Sequence, residues 1–467
     1  MTTNLHELFL RLVRLGLGCA DDNDNLDLDL NLNVNLNGGV SWQALENVAN
    51  EHGLLGVMLD GVEKLPRELR PEKKAILQSI GQLIQSEQQY AVQEHAAAEM
   101  GLLLHQHGIR TYVLKGAVVA ECYPKPEHRR SVDMDCFLVN DNVNLNLNDD
   151  STGSSQVNDN QGSLRADYRR PQTRLGQTIE FDGSRCSFGS KTEENHSENL
   201  STSKDSENSK LSTLNSQLDV WEKGNRVVEE AGFEVGRGFY KNSTFHLPGL
   251  TVENHRFMTP FRGNRTLRRL EIWLQSQLKV DSLKFKDGSL DDNGKFEGTW
   301  LYRPPVMVSA LFLIEHAYSH FLHEGLTWRH VLDWQMFSRR HREEIDWEAF
   351  DGLIDEYGFR KFYDTFNAIG VEMFNDNANE NDNLTSKDSN NSKRLTIDDN
   401  LKSKMLEDIW APLDLHESLH GLKAKLQLAG NYWRARWKYR LFTDMTWVRA
   451  LAEWVLGAVF ERQPRLD

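Results

Sequence analysis

Four cysteines in 467 residues, Cys19, Cys122, Cys136 and Cys186, are few, scattered and without a Cys-x-x-Cys pair. Their scarcity argues against a disulfide framework and a thiolate zinc site, and it suits a reducing compartment. Long apolar runs are missing too, and no uncharged stretch approaches the roughly 20 residues that cross a bilayer. The opening Met-Thr-Thr-Asn-Leu-His-Glu lacks a basic region followed by an apolar core, so no signal peptide is expected. The expected location is cytoplasmic, with no membrane partner. A basic excess is also absent: 54 basic and 69 acidic residues give a formal charge of -15. That balance argues against a general nucleic-acid surface and leaves room for a local basic pocket. No Gly-x-Gly-x-x-Gly or Walker loop occurs, which removes the main support for a kinase-like phosphotransferase.

What is present is unevenly distributed. Apolar residues make up only 39% of the chain, because Asn-, Asp- and Ser-rich stretches dilute otherwise ordinary sequence. These stretches, at 20–39, 140–165, 187–215 and 374–397, read as low-complexity, disordered inserts. Between them the periodicity predicts an α+β chain. Helices are expected over 5–17, 41–52 with a Ser41 cap, 72–107 ending at Gly108, and 218–230. Strands are expected at 111–114, 132–139, 243–247 and 251–257. Helices then follow at 305–322, 327–341, 346–370, 401–408, 419–440 and 443–460. A Gly- and Asp-rich stretch at 287–293 marks a boundary. The expected organisation is a helical region (1–75), a mixed domain (76–295) and a helical domain (296–467).

Within the strand at 132–139, Asp133 and Asp135 alternate with Val132, Met134 and Cys136. Residues two apart on a strand share a face, so both carboxylates point the same way. Two such charges repel unless a cation lies between them. Magnesium suits the position, because it takes hard oxygen ligands and is held by one or two carboxylates plus substrate phosphates. An Asp-x-Asp alone is common and fits a solvated strand end equally well.

The preceding residues favour phosphate chemistry. An apolar strand runs into Lys115 and Gly116 and then a helix start. A glycine lets phosphate approach the backbone, a helix start offers unpaired N–H donors, and a lysine adds positive charge. Arg129 and Arg130, directly before the carboxylate strand, are candidates for holding a triphosphate tail or for ordinary surface positions.

The run Leu114-Lys-Gly-Ala-Val-Val-Ala-Glu-Cys-Tyr-Pro-Lys-Pro-Glu-His-Arg-Arg-Ser-Val-Asp-Met-Asp resembles the core of the bacterial uncharacterised nucleotidyltransferase family. That family is a branch of the polymerase-beta-like nucleotidyltransferase superfamily. The resemblance resumes at Gly232-Phe, at Thr251-Val-Glu-Asn-His, and across Glu315-His-Ala-Tyr-Ser-His and Gly325-Leu-Thr-Trp-Arg-His-Val-Leu-Asp-Trp. It implies a mixed sheet with flanking helices and a mainly helical C-terminal part. It further implies that Asp133 and Asp135 bind one or two Mg²⁺ ions, with Glu253 as the third carboxylate. The implied substrates are a nucleoside triphosphate and an unidentified hydroxyl-bearing acceptor: a small molecule, a protein or an RNA end. Lys115, Gly116, Arg129 and Arg130 would hold the phosphates. One departure is Gly116-Ala117, where the superfamily usually has Gly-Ser or Gly-Gly. The missing hydroxyl supports an alternative reading, an inactive nucleotide-binding or regulatory protein that keeps the fold.

Further along, His255 shares the face of Glu253 and suits an acceptor-site or supporting role. His316 and His320 stand four apart on an expected helix, a spacing that can bind zinc but lacks the internal Glu of a metalloprotease motif. They are read as residues shaping the acceptor pocket. Arg329 and Asp333 are expected to form a stabilising i,i+4 pair. In Asn431-Tyr-Trp-Arg-Ala-Arg-Trp-Lys-Tyr-Arg, aromatic and basic residues interleave, and Tyr432 or Trp433, Trp437 and Phe442 are expected to pack inward.

Overall fold

The Asp133–Asn140 segment, whose first residues alternate between polar and apolar, becomes the inner part of a six-stranded mixed sheet. The computed structural model describes residues 2–19, 40–141, 220–237, 240–261, 264–284, 294–374, 398–411 and 430–452. Its strands are β1 (Ile109–Val113), β2 (Asp133–Asn140), β3 (Val235–Gly236), β4 (Asn242–Leu247), β5 (Leu250–His255) and β6 (Leu301–Tyr302), in the spatial order β3-β4-β5-β2-β1-β6. β1 is buried at every position. β2 runs antiparallel to β1, with Val113 opposite Cys136, and parallel to β5. A parallel pair needs a long crossover, and the one here includes the helical residues 220–230.

Helices flank the sheet. α1 (Thr2–Leu17) and α3 (Leu55–Lys64) pack backbone to backbone. A Cβ on Gly16 would lie 2.0 Å from the Val57 carbonyl oxygen, and one on Gly61 would lie 1.9 Å from that of Leu12. α2 (Trp42–Glu51) starts as expected, with the Ser41 hydroxyl accepting from the Ala44 N–H. α4 (Lys73–Gln106) is a single helix of 34 residues that ends before Gly108. Its buried residues gather toward the C-terminal end, at Ala96, Ala97, Met100, Gly101 and Leu104, where Gly101 faces Leu301 of β6. The pattern along 54–64 and 265–284 gave no helix in advance, yet both α3 and α7 (Arg265–Lys284) are helical. α5 (Ala117–Ala120) is one turn, and α6 covers 220–230.

The C-terminal part is helical: α8 (Val306–His323), α9 (Trp328–Arg340), α10 (Trp347–Glu356) and α11 (Arg360–Met373), then Asp399–Trp410 and Arg436–Phe442. α8 is buried on most of its surface, from Val308 through Leu322. The single helix expected over 346–370 is instead two. Gly358, at φ +75°, adopts a backbone that continues no right-handed helix, and the chain turns between Tyr357 and Phe359. Of the expected 419–440 and 443–460 helices, residues 430–434, 436–442 and 447–452 are described and helical. Tyr432 and Phe442 face inward while Trp433 is exposed. The inserts at 20–39 and 187–215, and nearly all of 140–165 and 374–397, lie outside the described residues. No described helix is long and apolar enough to cross a membrane.

Candidate active site

Strand register builds the site. β2 and β5 pair in parallel so that Asp135 stands beside Glu253 and Phe137 beside His255. His255 Nε2 donates to Asp135 Oδ1 at 2.8 Å and lies 3.6 Å from Glu253 Oε2. Asn242 on β4 donates to that same Glu253 oxygen at 2.6 Å. The ligand atoms of Asp135, Glu253 and His255 all lie within 4.8 Å of one another. Asp133 precedes this trio on the same face of β2. The family resemblance implied Asp133, Asp135 and Glu253 as the carboxylate set, whereas the group with ligand atoms within 4.8 Å of one another is Asp135, Glu253 and His255.

Charge follows from that packing. Burial would raise the Asp135 carboxyl, but the His255 hydrogen bond and charge, then Lys115 and Lys241, hold it well below the usual range. Burial lowers His255, and its bonds to Asp135 and Glu253 outweigh this and lift it to about 9. Asp133 is raised, by burial first and then by the charge of Asp135, with Lys115 opposing. The site therefore carries a fixed negative charge at Asp135, braced by an imidazolium.

Lys115, only 7% exposed, is buried where its charge acts on Asp133 and Asp135. Its Nζ donates to His316 Nε2 at 2.6 Å. Burial pushes it down to about 8, with Asp333 and Asp135 opposing and Arg329 and Arg129 reinforcing the drop. Gly116 has φ +77°, a conformation that residues with a Cβ rarely adopt, and this turns the chain from β1 into α5. The helix start expected here is a single turn, so the dipole and donors it offers are less than those of a full helix.

The two arginines separate. Arg129 is buried and binds Asp333 through two parallel bonds, Nε and Nη2, both at 2.7 Å. Tyr123 also donates to Asp333, at 2.9 Å. A buried guanidinium is costly without a carboxylate, and this one already has its own, so the expected triphosphate contact is not its arrangement here. The pairing also replaces the expected Arg329–Asp333 bridge. Arg329 Nη1 turns to the Arg130 carbonyl at 3.0 Å, and its charge acts on Asp133. Arg130 is exposed on the rim of a cleft of about 510 Å³ that Gln82, Gln89, Tyr90, Val132 and Thr251 also line. Sequence reading missed Arg329 as a site cation, and it missed Lys241, whose charge acts on Asp135, His255 and Glu315. Arg329 stands in the Gly325–Trp334 run, where helical spacing points to Asp333 as its partner, and Lys241 sits in no motif; the tertiary fold brings both in.

On the helical side, Phe312 lies between His255 and His316, with ring centroids 6.3 and 5.7 Å away. His316 and His320 of α8 meet His330 of α9, so the expected pair gains a third member. Burial, aided by Lys115, holds His316 well below its ordinary value, and burial with His320 does the same to His330. Glu315 is fully buried, and neither of its oxygens has a hydrogen-bond partner among the described residues. Burial pushes its carboxyl up to about 7.

More than half of the chain, residues 38–144 and 219–375, matches a family model described as "Uncharacterised nucleotidyltransferase". The chain belongs to that family. No curated protein and no solved structure matches it. The two segments shared with this nucleotidyltransferase family carry the whole site: Lys115 to Asp135 lie in the first, and Lys241 to Asp333 in the second.

Proposed function

We propose that this protein transfers a nucleoside monophosphate from a nucleoside triphosphate to a hydroxyl acceptor, with Mg²⁺ held by Asp133, Asp135 and Glu253. The observation that carries the reading is the β2–β5 register, which sets Asp135 beside Glu253 with Asp133 on the same face. The donor set fits a hard divalent cation. Asp135 is ionised, Glu253 offers a second carboxylate within 4.8 Å of it, and both belong to strands rather than loops. When bound, magnesium would neutralise charge on the phosphate oxygens and on the leaving pyrophosphate.

The remaining work falls to the chain's own groups. His255 fixes the orientation of Asp135 through its 2.8 Å bond. Lys115 and Arg329 supply positive charge to Asp133, where the triphosphate would lie, and exposed Arg130 stands three residues before it. Lys241 supplies positive charge near Asp135 and His255. These cations are in place before charge builds on the transferring phosphoryl group, which is how such transfer is accelerated. Glu253, 33% exposed at its side chain, would either complete the metal's ligand set or accept the acceptor's proton. Thiols that remain free, among them buried Cys122 and Cys136, suit the cytoplasm.

The test is incubation of the purified protein with Mg²⁺, each labelled triphosphate and a panel of sugars, peptides and RNA ends. Pyrophosphate release and label transfer are followed together. Turnover should need Mg²⁺ and vanish when Asp133 and Asp135 are both replaced by Ala. Turnover that survives the double replacement overturns the assignment. Nucleotide that binds without turnover in every arm supports the inactive, regulatory reading instead.

A further inference from the structure

A second group of metal-ligating side chains lies apart from the carboxylates, behind Phe312. We propose that His316, His320 and His330 form a zinc site that ties α8 to the first turn of α9. One nitrogen from each ring lies within 4.8 Å of the other two. The ring centroids are 4.5 Å apart for His316–His320 and 4.7 Å for His320–His330. Modest ring rotations would bring such nitrogens to the roughly 2.0–2.1 Å radius that zinc requires. Three imidazoles and one open position form a donor set that suits Zn²⁺ and not Mg²⁺.

The surroundings support this independently of ring proximity. Histidine ligands typically give their second ring nitrogen to an oxygen that sets their orientation. His320 Nδ1 lies 2.8 Å from Glu324 Oε2, which leaves Nε2 for the cluster. His330 Nδ1 accepts the Thr327 backbone N–H at 3.1 Å and lies 3.0 Å from Thr327 Oγ1. His330 is only 7% exposed, and its Nε2 is buried with no hydrogen-bond partner. An orphaned ring nitrogen of that kind needs an explanation, and a bound cation is one. Ligation by His330 Nε2 moves the ring proton to Nδ1, where Thr327 Oγ1 can accept it once the Thr327 N–H gives up its bond to that nitrogen.

His316 Nε2 already holds a cation of a different sort, the ammonium of Lys115 at 2.6 Å. Lys115 must leave that nitrogen when a metal arrives, so the two compete. Removing the lysine should therefore tighten metal binding.

The full-length protein, stripped with a chelator, is titrated with Co²⁺ as a visible stand-in and with Zn²⁺ by calorimetry. One ion per chain, bound more tightly than any the carboxylates take up, should give the absorption of a low-symmetry cobalt site. His320→Gln, which leaves the α9 cap intact, and His330→Gln should each weaken binding by at least about tenfold. Asp135→Asn should leave the cobalt spectrum unchanged, which separates this site from the carboxylate one. Lys115→Met should bind more tightly than the parent. No bound ion, or cobalt binding indifferent to both histidine replacements, overturns the proposal. Circular dichroism of each metal-free variant checks that the fold is kept.

Discussion

Arg129 and Asp333 join the turn before the carboxylate strand to the middle of α9 by a bidentate pair with both N–O distances at 2.7 Å. Both side chains are almost wholly buried. Removing one partner leaves the other charge unpaired in the interior, which costs far more than the intact pair contributes. Asp333→Ala should therefore lower the unfolding free energy by about 3–5 kcal/mol, read from urea denaturation. A double replacement, Arg129→Met with Asp333→Leu, should recover much of that loss, because it removes both charges. A single mutant as stable as the parent would show that the pair is solvated.

Gly61 tests the contact of α1 with α3. Its missing Cβ leaves room for the Leu12 carbonyl, which a methyl group would meet at 1.9 Å. Gly61→Ala must push two helix backbones apart and should cost about 1–3 kcal/mol or more. Gly352, exposed on α10, is the control, since a Cβ there would meet nothing within 4 Å. Gly352→Ala should stabilise by about 0.5–1 kcal/mol through helix propensity. Thermal melts of the two variants should shift in opposite directions.

His52 sets an acid limit on stability. It closes α2, is 2% exposed, and its Nδ1 accepts the backbone N–H of Trp328 at the start of α9. Burial, and then the charge of His6, push it down to about 4 from an ordinary value of 6.5. The unfolded chain therefore takes up the proton first as pH falls. The stability that neutral His52 contributes is complete above pH 6.5 and is lost as pH falls through that window toward 4. Between pH 7 and pH 5 the loss should be about 2 kcal/mol. His52→Gln should flatten this part of the stability profile, measured by denaturation at several pH values. An unchanged slope would assign the acid sensitivity to other groups.

Local pattern explains which parts of the molecule could be read in advance. Asp133 and Asp135 were legible because a strand's period of two is visible in eight residues. Glu253 was legible only through the family resemblance, in which the Thr251-Val-Glu-Asn-His run supplies the third carboxylate. Ser41 announced α2 by its cap. Asp333 could not be assigned to Arg129, because 204 residues separate them and the nearer Arg329 offers the same charge at helical spacing. His330 joins His316 and His320 only through the turn between α8 and α9, and its sequence role looks like that of a helix-start residue. Lys241 enters the site from a loop, where periodicity carries no information. The break at Gly358 left a signal that the reading passed over: the buried positions Phe350, Ile354 and Tyr357 do not continue in helical phase to Phe362, Phe366 and Ile369.

His255 offers the sharpest test of how the carboxylate cluster works. It donates to Asp135 and approaches Glu253, yet its own nitrogen is spent on that bond, so it is a positioning residue and not a ligand in this arrangement. Partners that orient a metal-binding group typically change metal affinity by 10–100-fold when removed. His255→Gln should therefore raise the Mg²⁺ concentration for half-maximal pyrophosphate release by roughly that factor. Maximal turnover at saturating Mg²⁺ should recover toward the parent value, because Asp133, Asp135 and Glu253 remain. Asp135→Asn should instead lose turnover at every Mg²⁺ concentration. If His255→Gln behaves like Asp135→Asn, the imidazole touches the reacting groups directly. If it leaves the Mg²⁺ dependence unmoved, the bond to Asp135 positions nothing.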